Sequence, residues 1–219
     1  MKRAGIGTVI QGRVRRLGLT LDPGALAKME QHFDLVMRWN RAVDLTAVRQ
    51  AEAAADFYAE AVEISDLMPE ARPGALVDLG SGGGFPGLVL AILRPAWRVL
   101  LVERGARKSV FLQEAARKLG LPHVSVLERN LRRPEDLPAG WTPDLLTMKA
   151  VGRFSLALDL LEGRGSPAAG AVLLAGEAGA AEVEAEVSGR GGRLRLAERR
   201  RLAGRSQAYA LVVRRAAAP

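Results

Sequence analysis

Asp78, the glycines at 80, 82, 83 and 84, and Glu103 are the residues of this 219-residue chain whose types and spacing could do chemistry. The run Leu76-Val77-Asp78-Leu79-Gly80-Ser81-Gly82-Gly83-Gly84-Phe85-Pro86-Gly87 couples an apolar strand to a glycine turn and then a helix start. Pro86 suits a first helical turn, where its missing N–H loses nothing. A turn without Cβ atoms lets a ligand approach the main chain, which is how an α/β protein holds a nucleotide-like cofactor. Gly82-x-Gly84-x-x-Gly87, with Glu103 about as far downstream as a ribose-binding acid, matches a dinucleotide fingerprint. A dinucleotide site, however, presents backbone N–H groups to a doubly negative pyrophosphate, and the Asp78 carboxylate would repel that anion. A cofactor carrying an ammonium and a sulfonium would be attracted instead, directly or through water.

Asp78-Leu79-Gly80-Ser81-Gly82 is similar to the Asp/Glu-x-Gly-x-Gly signature of S-adenosylmethionine (SAM) methyltransferases, so SAM is the favoured cofactor. A nicotinamide or flavin cofactor, or a structural turn with no ligand, are the alternatives.

These residues need a scaffold that brings strand ends together. Apolar runs at 75–79, 98–102, 123–127, 143–147, 170–175, 193–199 and 207–213 read as strands, alternating at first with helices at 86–94, 106–119, 153–162 and 178–187. That alternation predicts a parallel sheet. The last two strands, joined by a short turn around Gly204, predict an antiparallel hairpin at one edge. Upstream, Asp22-Pro23-Gly24 is an N-cap signal, and Leu26, Met29, Phe33, Leu35, Val36 and Trp39 recur at helical spacing. Ala51 to Leu67 repeats the pattern, while residues 1–20 read as a mobile basic leader. The expected fold is therefore α/β, a Rossmann-like doubly wound, mostly parallel sheet with a C-terminal antiparallel hairpin. A leader and helical cap over 1–72 precede a methyltransferase domain over 73–219.

Composition narrows the chemistry. Without cysteine there are no disulfides, thiolate nucleophiles or Cys-based zinc sites. His32 and His123 are too few for a His-rich metal centre, and each reads as a surface or helix-packing residue. No run is apolar enough to span a membrane and the N-terminus lacks a signal-peptide core, so the expected compartment is the cytoplasm. The net charge of +8 suits a polyanionic partner. It is unevenly placed: Arg190 to Arg215 contains nine arginines against Glu198 alone.

In an open parallel sheet ligands bind beyond the carboxyl ends of the strands, near the switch point. Asp78 to Phe85, Glu103, Glu128 to Leu131 and Thr147 to Ala150 should meet there. Glu103 is placed either to accept ribose hydroxyls or to pair with Arg104 or Arg107. Asn130 and Leu131 either frame an adenine or form an ordinary loop. Lys149 reaches a cofactor carboxylate or an RNA phosphate, or is a surface lysine. Trp141, Phe154 and Phe85 are candidates to stack on a base, with packing as their other reading.

Val43-Asp44-Leu45-Thr46-Ala47-Val48-Arg49, Gly80 to Gly87, Glu103 through Arg107-Lys108-Ser109-Val110-Phe111-Leu112, and Asp144 to Val151 occur in this order. Jointly they resemble the RsmG (GidB) family of small-subunit 16S rRNA guanine-N7 methyltransferases, of which this chain reads as a divergent member. The resemblance implies SAM as cofactor, rRNA or the 30S subunit as partner, and SAM contacts from Gly80, Phe85, Asn130, Leu131 and Lys149. With the strand-end residues, the candidate cofactor set is Asp78, Gly80, Ser81, Gly82, Gly84, Phe85, Glu103, Arg104, Asn130, Leu131 and Lys149. Lys149 doubles as a possible substrate contact; no general base, no metal site and a monomer are expected.

The chain departs from the family pattern at Asp44 (Asn there), Lys149 (Arg), Phe57 to Ser65 (a His-x-x-Asp-Ser segment) and Ala175-Gly176-Glu177 (a lysine beside the glycine). These substrate-side changes keep two other functions open. One is a methyltransferase of a small molecule or protein; the other is a non-catalytic RNA- or ribosome-binding paralogue.

Overall fold

The computed structural model describes residues 5–45, 50–68, 73–149, 154–164, 169–203 and 208–216. Thr46 to Arg49, Ala150, Val151 and Gly204, all read from sequence above, lie outside the described residues.

Three helices come first: α1 (Ile6–Arg16), α2 (Pro23–Trp39) and α3 (Ala51–Ile64). Strands β1 (Ala75–Leu79), β2 (Arg98–Glu103) and β3 (Val124–Glu128) follow, separated by α4 (Gly87–Leu93) and α5 (Ala106–Lys118). Then come β4 (Leu145–Lys149), α6 (Phe154–Arg164), β5 (Gly170–Ala175), α7 (Glu177–Ser188), β6 (Leu194–Arg201) and β7 (Tyr209–Arg215). The seven strands form one sheet ordered β3-β2-β1-β4-β5-β7-β6. β1 to β5 run parallel, whereas β7 is antiparallel to both β5 and β6. The order reverses between β1 and β4, so the crevice at their carboxyl ends is the switch point.

Alternation along the strands feeds two apolar layers. Leu76, Val99, Leu101 and Leu145 join a core with α1 to α5, while Val77, Leu79, Leu100 and Leu146 join a second core with α6 and α7. Asp78 shares the Leu76 face and so points toward the α4 side. The three N-terminal helices belong to the first core: Ile10, Met29, Val36 and Tyr58 are buried in it together with Leu88 and Phe111.

Residues 6–16 correct the expected mobile leader. Ile6, Ile10 and Val14 repeat every four positions and are buried, and Arg13 Nε lies 2.8 Å from Asp56 Oδ1 of α3. A single apolar stripe of three residues among glycines and arginines gave too little signal. α2 opens as expected, with the Asp22 side chain accepting from Ala25 N at 2.9 Å. Pro86 stands just before α4 rather than in its first turn, after a cis Phe85–Pro86 peptide.

Candidate cofactor site

A cavity of about 570 Å³ opens at the carboxyl ends of β1, β2, β3 and β4. Its wall contains Gly80, Ser81, Gly82, Phe85, Glu103, Arg104, Asn130, Leu131 and Lys149, nine of the eleven residues singled out from sequence. Asp78 and Gly84 stand outside it and support it from beneath.

Asp78 is fully buried and accepts a hydrogen bond from Thr147 Oγ1 at 2.7 Å. Register dictates the partner, because Asp78 lies opposite Thr147 across the β1–β4 pair. Burial raises its carboxyl pKa to about 6, against the opposing hydrogen bonds from Thr147 and Ser81. Enclosed between β4 and α4, this carboxylate supports the turn from outside the cavity lining. Gly87 makes the seat possible: a Cβ there would come within 2.5 Å of Asp78 Oδ2, so α4 can start on top of the carboxylate only with glycine.

Gly84 (φ +86) is equally constrained, since a Cβ would meet Leu88 Cβ at 2.9 Å and His32 Nε2 at 3.1 Å. His32, read from sequence as a surface or helix-packing residue, is a packing residue that also reaches the glycine turn. Completely buried, it places Nε2 3.0 Å from the Gly83 carbonyl oxygen and Nδ1 2.9 Å from the Tyr58 hydroxyl. A carbonyl can only accept, so Nε2 donates the proton and the Tyr58 hydroxyl donates to Nδ1. Burial lowers the His32 pKa to about 4, which keeps the ring neutral, and raises that of Tyr58. Two helices of the N-terminal layer thus hold the glycine turn. The available signal was register: His32 falls between Met29 and Leu35–Val36 on the buried face of α2.

Phe85 enters the cavity wall from an aromatic surround, its ring centroid 5.1 Å from His32, 5.3 Å from Phe57 and 5.0 Å from Tyr58. Glu103 is buried at the end of β2, where Oε2 accepts from Gly82 N at 3.0 Å and Oε1 from Gly105 N at 2.8 Å. The carboxylate therefore fixes the turn rather than pairing with Arg104 or Arg107, and each oxygen keeps a lone pair for another donor. Lys149 is no ordinary surface lysine: its ammonium pairs with buried Glu60 of α3 and sits 3.5 Å from the Phe57 ring centroid. Asn130 is exposed and Leu131 buried in the loop after β3. Leu45, Phe57, Gly83, Lys108, Arg129 and Met148 also line the wall, none of them singled out as cofactor contacts.

Other candidates lie elsewhere. Trp141 packs beneath Arg98, 5.0 Å from ring centroid to guanidinium, at the amino end of β2 and so away from the cavity. Phe154 is buried in the second core. Of the departures near residue 176, Ala175 is buried and Glu177 pairs with Arg199 of β6; neither reaches the wall. His123 Nε2 lies 3.0 Å from the Ala91 carbonyl oxygen, a packing role. Among the described residues no cluster could hold a metal ion, and no helix is long and apolar enough to cross a membrane.

The chemistry of this wall fits SAM: an open glycine turn, a carboxylate with spare acceptor capacity, a cation, apolar side chains and a volume in the range of small-molecule sites. Two solved structures share the fold. A ribosomal protein L11 methylase from Lactobacillus delbrueckii subsp. bulgaricus aligns with a TM-score of 0.56 at 13% identity, over 72% of this chain and 77% of that one. A SAM-dependent methyltransferase from Aquifex aeolicus aligns with a TM-score of 0.56 at 18% identity, over 70% and 88%. In sequence, the protein named ribosomal RNA small subunit methyltransferase G from Halorhodospira halophila is 38% identical over 128 residues, 58% of this chain and 60% of that protein. Its namesake from Paracoccus denitrificans is 34% identical over 159 residues, 71% of this chain and 79% of that one. The chain spans less than two thirds of the length of several such relatives, as with 55% of the Nitrosospira multiformis protein. The family model for rRNA small subunit methyltransferase G (GidB) matches residues 25–188, and with most of the chain covered by that match the protein belongs to this family.

Proposed function

We propose that this chain transfers a methyl group from SAM to a base of small-subunit ribosomal RNA, with guanine N7 of 16S rRNA as the acceptor. The observation that carries the reading is a cavity wall whose carboxylate is already engaged, both Glu103 oxygens accepting backbone amides, and whose Lys149 is paired with Glu60. No side chain there is set to remove a proton. Guanine N7 suits such a wall, because its in-plane lone pair carries no proton at neutral pH and attack needs no general base.

SAM, when bound, supplies an electrophilic methyl group on its sulfonium. The chain's residues align the reactants. The turn from Gly80 to Gly83, held by His32 and Glu103, presents its main chain to the donor. Glu103 offers its remaining lone pairs to ribose hydroxyls, while Asn130 and Leu131 frame the adenine side. Lys149, steadied by Glu60 and Phe57, sets one positive charge in the wall. Rate enhancement of this kind comes from proximity and orientation.

The reading is tested by incubating the protein with labelled SAM and either 30S subunits or naked 16S rRNA, then mapping the label by mass spectrometry. Transfer to one guanine is expected. Donor binding without transfer to either RNA would overturn the rRNA assignment. It would favour a small-molecule or protein acceptor, a reading supported by Phe57 and Glu60 at substrate-side positions that depart from the family pattern.

A further inference from the structure

Several arginines around the C-terminal hairpin are held in ion pairs, whereas, among the described residues, a group of cations at the cavity mouth is not. Around the C-terminal hairpin, Arg190 meets Asp159 at 2.7 Å and Glu162 at 3.3 Å. Nearby, Arg199 pairs with Glu177 and Glu184, and Arg200 with Asp66 and Glu198. At the cavity mouth the pattern is the reverse. Among the described residues, Arg104, Arg107, Lys108 and Arg132 have no ion-pair partner.

Geometry gathers these four on one margin. β2 and β3 pair so that Glu103 lies opposite Glu128, and Arg129 N donates to the Glu103 carbonyl oxygen at 2.9 Å. The turns that follow the two strands therefore lie side by side. Arg104 and Lys108 line the cavity, while Arg107 and Arg132 are exposed. Of the nearby acids, Asp136 is engaged by Arg133 at 3.6 Å and by the Arg132 amide at 2.9 Å, leaving exposed Glu128 and Glu135 against the four cations. Local stability does not account for the arrangement. The first turn of α5 holds Arg107 and Lys108 and no acid, although cations at a helix N-terminus oppose its macrodipole.

We infer that this margin, with Arg107 and Arg132 at its outer edge, docks the phosphate backbone of the RNA and leads the strand to the cavity, while the ion-paired arginines around the hairpin take no part. The inference rests on the proposed RNA substrate. Neutralising phosphates releases counterions, so each contact adds to the salt dependence of binding.

The test measures binding of a fluorescent small-subunit rRNA fragment across a salt series, using the full chain. Arg107→Ala with Arg132→Ala should weaken binding by about tenfold at moderate salt and flatten the log–log salt slope by ~1.4, as expected for two single-strand phosphate contacts. Calorimetric affinity for SAM should stay unchanged. The melting temperature should hold or rise, because a cation has left the α5 N-terminus. Arg193→Ala with Arg199→Ala should alter RNA affinity by no more than about twofold. The inference is overturned if the margin variant binds RNA like the parent, or if the hairpin variant loses as much. Methyl transfer by the parent with an unchanged KM for RNA in the margin variant would remove the docking surface and leave the function. Salt-sensitive binding lost in the margin variant, with no transfer by the parent, would do the opposite.

Discussion

The cavity end of the sheet and its hairpin edge both depend on charged side chains, but they use them in opposite ways. Beneath and within the cavity wall, three charges are largely shielded from water and have few, directed partners: Asp78 with Thr147, Glu103 with two amides, Lys149 with Glu60 and the Phe57 face. Around the hairpin, Arg190, Arg199 and Arg200 meet two or three carboxylates apiece in contact with water; the Glu177 side chain that pairs with Arg199 is 59% exposed. In low dielectric a charge is strongly stabilised by a well-placed partner and heavily penalised without one. On the surface, water takes over most of either effect. The cavity network thus fixes geometry, whereas the hairpin network mainly keeps an edge strand polar and unavailable to other chains.

The strongest way to break this contrast is Lys149→Met. It removes the ammonium from Glu60, whose side chain is 2% exposed, and should destabilise the fold by about 3 kcal/mol. Adding Glu60→Gln should restore much of the loss. Urea unfolding of the parent, both single variants and the double variant gives the coupling energy; a value near zero would place this pair with the surface pairs.

Acid titration sharpens the same contrast. Between its folded value of about 4 and its unfolded value of 6.5, His32 binds a proton only in the unfolded chain, so its contribution makes stability rise with pH. Asp78, at about 6 in the fold against 3.8 unfolded, holds a proton in the folded state over pH 4–6, so its contribution falls as pH rises. Each spans roughly 3 kcal/mol over its window, and where the windows overlap the two oppose each other. Asp78→Asn should therefore leave stability rising more steeply from pH 4 to 6, and His32→Gln should leave it falling. Denaturation midpoints at several pH values check both signs.

The smallest effect belongs to the hairpin. Arg199→Ala should barely move the urea midpoint, with no pH dependence near neutrality, despite losing two carboxylate partners. A loss as large as that of Lys149→Met in the same unfolding experiment would erase the distinction between the two regions.

Most of the sheet was legible because its strands are short apolar runs bounded by glycine, proline or charge. β1 falls at 75–79 as read, and the other boundaries move by no more than two residues. α1 escaped because Ile6, Ile10 and Val14 are three apolar residues in a segment that composition marks as basic. In the site, positions after strands could be read, since the chain must leave each parallel strand at the same end of the sheet. Direction could not. Asp78 turns toward α4 because of its parity with Leu76, and Glu103 bends back onto Gly82 because a buried amide needs an acceptor. For His32, register on α2 announces burial but not the contact: its partner Gly83 is 51 residues away, a pairing that no local pattern shows.

The hydrogen bond from His32 to Gly83 also bears on how modular this protein is. A chain shortened to begin at residue 73 would keep every strand and most of the cavity wall, yet the carbonyl of Gly83 would lose its donor and Phe85 its aromatic surround. The helical layer and the glycine turn therefore form one structural unit. Removing the layer would disturb the turn from two sides at once, through the His32 contact to Gly83 and through the ring packing around Phe85.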